Sequence, residues 1–267
     1  MNIDTPAGAL QTHVAARSSR TNDRWIVPIL EAKAGSAPAR FATQLSGHRA
    51  VTVFLAAILS GFALVAALSI GLGLLITKVV VHAWGIGAAD ERVEVWLAGH
   101  RTASRGDASL IGSIIAGGVV LPIIAGVILL TFAALRHWRL AAFTVFALGV
   151  ESGSYRITTL VVHRHRPEVA RLENLPVNAS YPSGHTAAAI AVYAGLILLL
   201  TSKFENSLFR GFAWTIAVAL PVFVAWARMY RGMHHPLDVA GGVVIGIAAL
   251  IVLVFASRAA DAAAASR

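Results

Sequence analysis

Residues 50–77 read AVTVFLAAILSGFALVAALSIGLGLLIT, with no charged side chain between Arg49 and Lys78. A helix needs about 20 apolar residues to cross the hydrocarbon core of a bilayer. In that medium only a helix or a closed barrel satisfies its own backbone groups. The run is therefore read as a membrane-spanning helix, and the rest of the chain is read outward from it.

Five further apolar stretches follow, at 108–135, 140–162, 186–202, 211–227 and 239–257, the second of these interrupted by Glu151 and Arg156. The pattern predicts an all-α, polytopic membrane protein built as a six-transmembrane-helix bundle. Composition agrees: the 267 residues are 57% hydrophobic and 13% charged, with mean hydropathy +0.72. A soluble domain carries about 45–50% apolar and about 25% charged residues, so that class is excluded, as is disorder. The absence of cysteine removes disulfides, thiolate metal sites and cysteine nucleophiles. A net charge of +9 is read as basic flanks meeting anionic membrane lipids, with no nucleic acid partner. No sequence feature sets the oligomeric state.

Residues 1–49 are polar and basic, without the apolar core of a cleavable signal. They are expected to form a poorly ordered cytoplasmic tail. Residues 50–257 then form the membrane domain and 258–267 a second cytoplasmic tail. With the N-terminus inside, twelve of the 22 Lys and Arg residues lie on the cytoplasmic side, a slight positive-inside bias. Asp90, Glu91, Glu94 and Asp107 fall in the first outer loop. Gly71, Gly73, Gly117 and Gly118 are read as allowing close helix packing, and Pro122 and Pro221 as kinks.

The outer ends of the last four spans carry the unusual polar sequences: His163-Arg164-His165-Arg166-Pro167, Tyr181-Pro182-Ser183-Gly184-His185 and 228–238, RMYRGMHHPLD. Charge at membrane depth is costly and usually functional, so three clusters on one face point to a shared site. Arg166 and Arg228 can grip phosphate oxygens with planar donor forks. Ser183 and Gly184 open a helix whose N–H groups favour an anion. Asp238, four residues after His234, can hold one imidazole nitrogen and leave the other free to attack. His185 can protonate a leaving oxygen.

These residues resemble the type 2 phosphatidic acid phosphatase family, membrane relatives of the vanadium haloperoxidases. The family pattern runs Lys, six residues, Arg-Pro; then Pro-Ser-Gly-His; then Ser-Arg, five residues, His, three residues, Asp. Arg166-Pro167, Pro182 through His185, and Arg228, His234 and Asp238 match it in order. The resemblance implies a lipid phosphatase of the cell (inner) membrane, its active site facing the periplasm or exterior. His234 would form a phosphohistidine, Asp238 would orient it and His185 would be the general acid. Arg166, Ser183, Gly184 and Arg228 would bind phosphoryl oxygens, with no metal and no cofactor. Candidate substrates are phosphatidic acid, phosphatidylglycerol phosphate and polyprenyl pyrophosphate. Transfer to an acceptor alcohol on a lipid or sugar, or a non-catalytic lipid-binding bundle, remain as alternatives.

Two positions depart from the pattern: Thr159 replaces the Lys and Ala227 the Ser. Arg156, on the same helical face as Thr159, is the candidate replacement cation, with Arg164 as the second. Glu151 is read as a buried group steadying its helix, or as one that positions Arg156. Arg171 and Arg231 are read as interface anchors. His163, His165 and His235 are read as interfacial, because the neighbouring arginines would repel a metal ion.

Overall fold

The computed structural model describes residues 27–266. Its helices are α1 (Ala37–Gln44), α2 (Ala50–Ala83), α3 (Gly87–Gly99), α4 (Ala103–Ile115), α5 (Val120–Ala134), α6 (Trp138–Val161), α7 (Gly184–Thr201), α8 (Ser207–Tyr230) and α9 (Pro236–Ala265). Among the described residues the only β-pairing is an isolated bridge between Arg164 and Ala179. The chain is a multi-pass membrane protein of the all-α class.

Four helices, α2, α7, α8 and α9, are long and apolar enough to cross a membrane, and α4 with α5 makes a fifth if that bent pair is one span. The remaining expected span is α6. Its 24 residues suffice at about 1.5 Å each, but Glu151, Ser152, Ser154, Arg156, Thr158 and Thr159 make it the most polar of the long helices.

The expected second span, 108–135, is not continuous. α4 stops at Ile115 and α5 starts at Val120, bent by 45°. Consecutive glycines favour such a break, each being about 1 kcal/mol worse than Ala inside a helix. Gly117 caps the end of α4, its N–H donating to the Ile114 carbonyl at 3.0 Å. Pro122 sits in the first turn of α5, where proline is tolerated. Gly117 and Gly118 thus end a helix rather than pack one. Gly71 also faces open space, whereas a Cβ on Gly73 would come within 2.6 Å of the Tyr181 ring.

α9 is the central element, packing most extensively on α2 and also on α1, α6 and α7. Ile58, Val65, Phe143, Ala147, Val150, Ile245, Ala249 and Leu253 form the core between them. A Cβ on Gly61 would sit 2.3 Å from Val252, so the absence of a side chain there lets α2 approach α9. Leu55, Leu59, Leu64 and Leu68 of α2 and Val218 and Val222 of α8 are exposed. Such apolar faces suit a helix solvated by lipid.

Parts of both expected tails are folded. Within 27–49, a 3₁₀ turn at Pro28–Leu30 and α1 pack on α9, with Val27 and Leu30 buried. Arg258 Nε donates to the Ile29 carbonyl at 2.8 Å, and the Ala32 N–H to Asp261 at 2.9 Å. Arg139 joins them by an ion pair to Asp261 at 3.0 Å. The expected tail at 258–267 instead continues α9 to Ala265, with Ala259 and Ala263 buried. These polar contacts and small buried alanines hold both segments against the bundle. Residues 1–26 of the expected N-terminal tail lie outside the described residues.

Candidate active site

After α6 the chain becomes extended. The Arg166 N–H donates to the Val177 carbonyl at 2.9 Å and the Ser180 N–H to the Arg164 carbonyl at 3.0 Å. Side chains alternate in an extended segment, so Val162, Arg164 and Arg166 point inward and His163 and His165 outward. Arg166 donates from Nε to the Pro176 carbonyl and from Nη2 to the Ala179 carbonyl, both at 2.8 Å, and from Nη1 to the Met233 carbonyl. It ties the loop before α7 to the loop before α9.

The second cluster is held from three sides. The Ser183 N–H donates to the Asp238 carbonyl at 2.9 Å. The buried Tyr181 ring wedges between Gly73 and Gly241, where a Cβ would lie 2.6 and 2.3 Å from it. A Cβ on Gly184 would meet the Tyr155 ring of α6 at 3.1 Å. α7 therefore begins at Gly184 in a fixed place, with the Ser183 hydroxyl 2.9 Å from that of Thr186.

The third cluster is a turn between α8 and α9. The Gly232 N–H donates to the Met229 carbonyl at 2.8 Å and the Met233 N–H to the Arg228 carbonyl at 3.0 Å, the paired bonds of a Schellman motif. The motif needs a left-handed residue, and Gly232 has φ +69°. His234 follows, buried, with Nδ1 2.6 Å from the Ser180 carbonyl. A carbonyl only accepts, so Nδ1 carries the proton and the Nε2 lone pair is free. Burial, with Arg228 and Arg166 alongside, holds this imidazole well below its ordinary pKa of 6.5.

Asp238 does not orient His234 by a hydrogen bond, as the spacing had suggested. It accepts from Ser180 Oγ at 2.5 Å and from the His235 N–H at 2.8 Å, the latter closing a capping box with His235 at the start of α9. Its other oxygen pairs with Arg164. Thus Asp238 fixes Ser180, and the Ser180 carbonyl holds the imidazole. The spacing misled because an N3 carboxylate turns back onto its own helix end.

Arg228 is fully buried. Its Nη1 donates to Glu173 at 2.7 and 2.9 Å and to Ser113. Its Nε and Nη2 are buried without a hydrogen-bond partner among the described residues. These two nitrogens share one edge of the guanidinium, the donor pair that grips a phosphate or carboxylate side-on. Burial alone would raise the Glu173 pKa, but the Arg228 guanidinium beside it draws the carboxyl down to about 2. An open groove of about 390 Å³ leads to this place from the α4–α5 break. Its walls include Leu110, Ile114, Gly117, Gly118 and Val119, and it ends at Ser113, Glu173 and His185.

Several expected roles are placed differently. Arg156 is exposed and its side chain has no polar partner among the described residues. Arg164 is committed to Asp90 and Asp238. Thr159 bonds back to the Arg156 carbonyl at 2.9 Å. Glu151 is buried and accepts from Ser152 at 2.9 Å, not from Arg156. Arg231 is no interface anchor: it is buried and donates to Glu173 at 2.5 Å. His235 is likewise buried, bridging Glu91 at 2.8 Å and Asp238 at 3.2 Å. Burial would lower its pKa, but the bond to Asp238 and these carboxylates hold it above its ordinary value. Ala227 packs on Gly112, whose added Cβ would lie 2.7 Å from it, so α4 and α8 meet too closely for a larger residue. Ser113, Tyr155, Glu173 and Ser180 were not singled out from the sequence, nor were Asp90 and Glu91 given a role. Only that acidic pair, in the segment after the first span and opposite a basic cluster, was a usable signal.

Residues 140–260 match the PAP2 superfamily, a stretch holding all three clusters. The undecaprenyl-diphosphatase of Sulfolobus acidocaldarius is 39% identical over 75 residues, 28% of this chain and 32% of that protein. Human sphingosine-1-phosphate phosphatase 2 is 31% identical over 134 residues, 47% of this chain and 33% of that protein. The chain thus spans about a third of the length of these curated relatives. The crystal structure of a transmembrane PAP2 type phosphatidylglycerolphosphate phosphatase from Bacillus subtilis matches 77% of this chain and 94% of its own, with TM-score 0.60 and 21% identity. That likeness extends the shared fold beyond the matched sequence segment. Over residues 140–260, this chain is similar to the PAP2 superfamily.

Proposed function

We propose that the protein is a lipid phosphatase that hydrolyses a phosphomonoester or pyrophosphate headgroup through a phosphohistidine. The observation that carries this reading is the buried Nε–Nη2 edge of Arg228, which has no hydrogen-bond partner among the described residues, set beside a histidine whose Nδ1 is capped by Ser180. Charge-assisted bonds of this kind contribute about 1.5–3 kcal/mol each. His234 Nε2 attacks phosphorus while the bond to the departing oxygen breaks, and His185 gives that oxygen its proton. Water then attacks the phosphohistidine, the P–N bond breaks, and His185 takes the proton from the water. Arg166, Arg228 and the backbone at Ser183 and Gly184 stabilise the transferring group by position and charge.

The groove at the α4–α5 break gives the lipid a lateral route to this centre. The site is assigned to the periplasmic or exterior face of the cell membrane, with the basic N-terminal stretch in the cytoplasm. The names of the relatives, a diphosphatase of undecaprenyl lipid and a phosphatase of sphingosine 1-phosphate, bracket the proposed substrate class. The deciding experiment is an assay of purified protein in detergent on phosphatidic acid, phosphatidylglycerol phosphate and a polyprenyl pyrophosphate. Release of phosphate by the wild type and none by His234→Ala is expected. Full activity in His234→Ala would end the proposal, and phosphate appearing on an added alcohol instead of in solution would make the protein a transferase.

A further inference from the structure

We propose that Glu173 is a positioning residue that locks Arg228 so that its Nε–Nη2 edge faces the phosphoryl group. The inference rests on the phosphatase reading above and deepens it.

Glu173 comes from the loop between α6 and α7 and reaches the end of α8. Both of its oxygens accept from Arg228 Nη1, at 2.9 and 2.7 Å. Neither is bonded to Nε or Nη2, which have no hydrogen-bond partner among the described residues. The carboxylate therefore holds one nitrogen and leaves the opposite edge available. An arginine has long, rotatable stems, and its fork is useful only when something fixes its plane.

Glu173 is itself fixed. Its Oε1 accepts from Arg231 Nε at 2.5 Å and from Ser113 Oγ at 2.7 Å. Arg231 Nη2 donates to the Leu172 carbonyl at 3.0 Å, and the Leu172 N–H donates to the Arg231 carbonyl at 3.0 Å. The loop is thus paired to the end of α8 on both sides of the carboxylate. Ser113 lies near the end of α4, so the same contact joins Arg228 to the wall of the lipid groove.

A carboxylate near an anion site also repels the anion, so charge and position make opposite demands. Two substitutions separate them. Glu173→Gln removes the charge; its amide oxygen can take the place of Oε1, which accepts from Arg228, Arg231 and Ser113, while its N–H₂ group replaces Oε2 and loses the 2.7 Å contact with Arg228 Nη1. Glu173→Asp keeps the charge but withdraws it by one methylene from Nη1.

The test is vanadate binding to the purified full-length protein, read by vanadium NMR, together with kcat and KM on phosphatidic acid and melting temperatures for each variant. Glu173→Asp is expected to weaken vanadate about tenfold, the loss of roughly one charge-assisted hydrogen bond, and to lower kcat more than it raises KM. Glu173→Gln is expected to weaken vanadate too, but less than Glu173→Asp, because the Oε1 contacts are kept and the Oε2 one is lost. Tighter vanadate binding by Glu173→Gln, or wild-type binding by a folded Glu173→Asp, would overturn the proposal. Binding that follows the expected order without any turnover would keep the positioning role and reject the phosphatase reading. Turnover with unchanged vanadate affinity in Glu173→Asp would do the reverse. A wild type that neither binds vanadate nor turns over rejects both.

Discussion

A Cβ on Gly242 would lie 2.5 Å from the carbonyl oxygen of Ser183. The second turn of α9 is therefore pressed against the loop that opens α7, and the Ser183 N–H to Asp238 carbonyl bond of 2.9 Å runs alongside. The obstacle is backbone, which cannot rotate away. Gly242→Ala should displace Ser183 and Gly184, costing about 1–3 kcal/mol of stability as core overpacking does. Lipid phosphatase turnover should fall well beyond what the lost fraction of folded protein explains. Unchanged turnover and melting temperature would show that this contact does not set the loop.

Asp238→Asn should destabilise the fold as well as slow the reaction. One oxygen of Asp238 faces Arg164, and the other faces Ser180 Oγ and the His235 N–H. Either orientation of an asparagine amide sets an N–H₂ group against a donor. Arg164 would also lose one of its two carboxylates, and breaking a buried ion pair costs about 3–5 kcal/mol. A residue that only steadied the His234 tautomer would leave the melting temperature where it was. The measurement is therefore thermal unfolding in detergent beside the rate, with both expected to drop.

The three clusters were legible because each is a local pattern whose spacing survives folding. The residues that complete them were not. Ser180 acts through its carbonyl and hydroxyl, which carry no side-chain signature of that use. Glu173 reaches Arg228 across 55 positions and Ser113 meets it across 60, so no spacing links them. The α4–α5 break was hidden for another reason. In lipid a helix is apolar all round, and Gly117-Gly118 within an apolar run reads equally as a packing face. Arg156 shares a face with Thr159, but its side chain is exposed, and helical periodicity alone does not say which way a face points.

The activity profile should report a nucleophile that stays neutral into acid. Burial, then Arg228 and Arg166, lower the His234 pKa well below 6.5, and protonation is what would remove its lone pair. The limb of kcat/KM belonging to His234 should therefore lie well on the acid side of 6.5, with rates holding as pH falls through neutrality. Ionisation of the substrate phosphate must be measured separately and divided out. A His234 limb at or above 6.5 would contradict the environment described for this imidazole.

Stability should fall as pH rises through the weakly acidic and neutral range, because of Glu94 in α3. This side chain is fully buried and both of its oxygens lack partners among the described residues. Burial, reinforced by Glu91, Asp238 and Asp90, raises its pKa from 4.5 to about 9. Below 4.5 the carboxyl is protonated in both folded and unfolded chains, and the fold keeps its full stability. Between 4.5 and about 9 only the unfolded chain releases the proton, so each step upward in pH favours unfolding. Glu94→Gln copies the protonated form and removes this drift. Melting in detergent should give similar midpoints for variant and wild type near the lower bound and a higher midpoint for the variant near the upper one. Parallel curves across that window would mean that Glu94 ionises in the folded protein with a partner that the buried geometry does not provide.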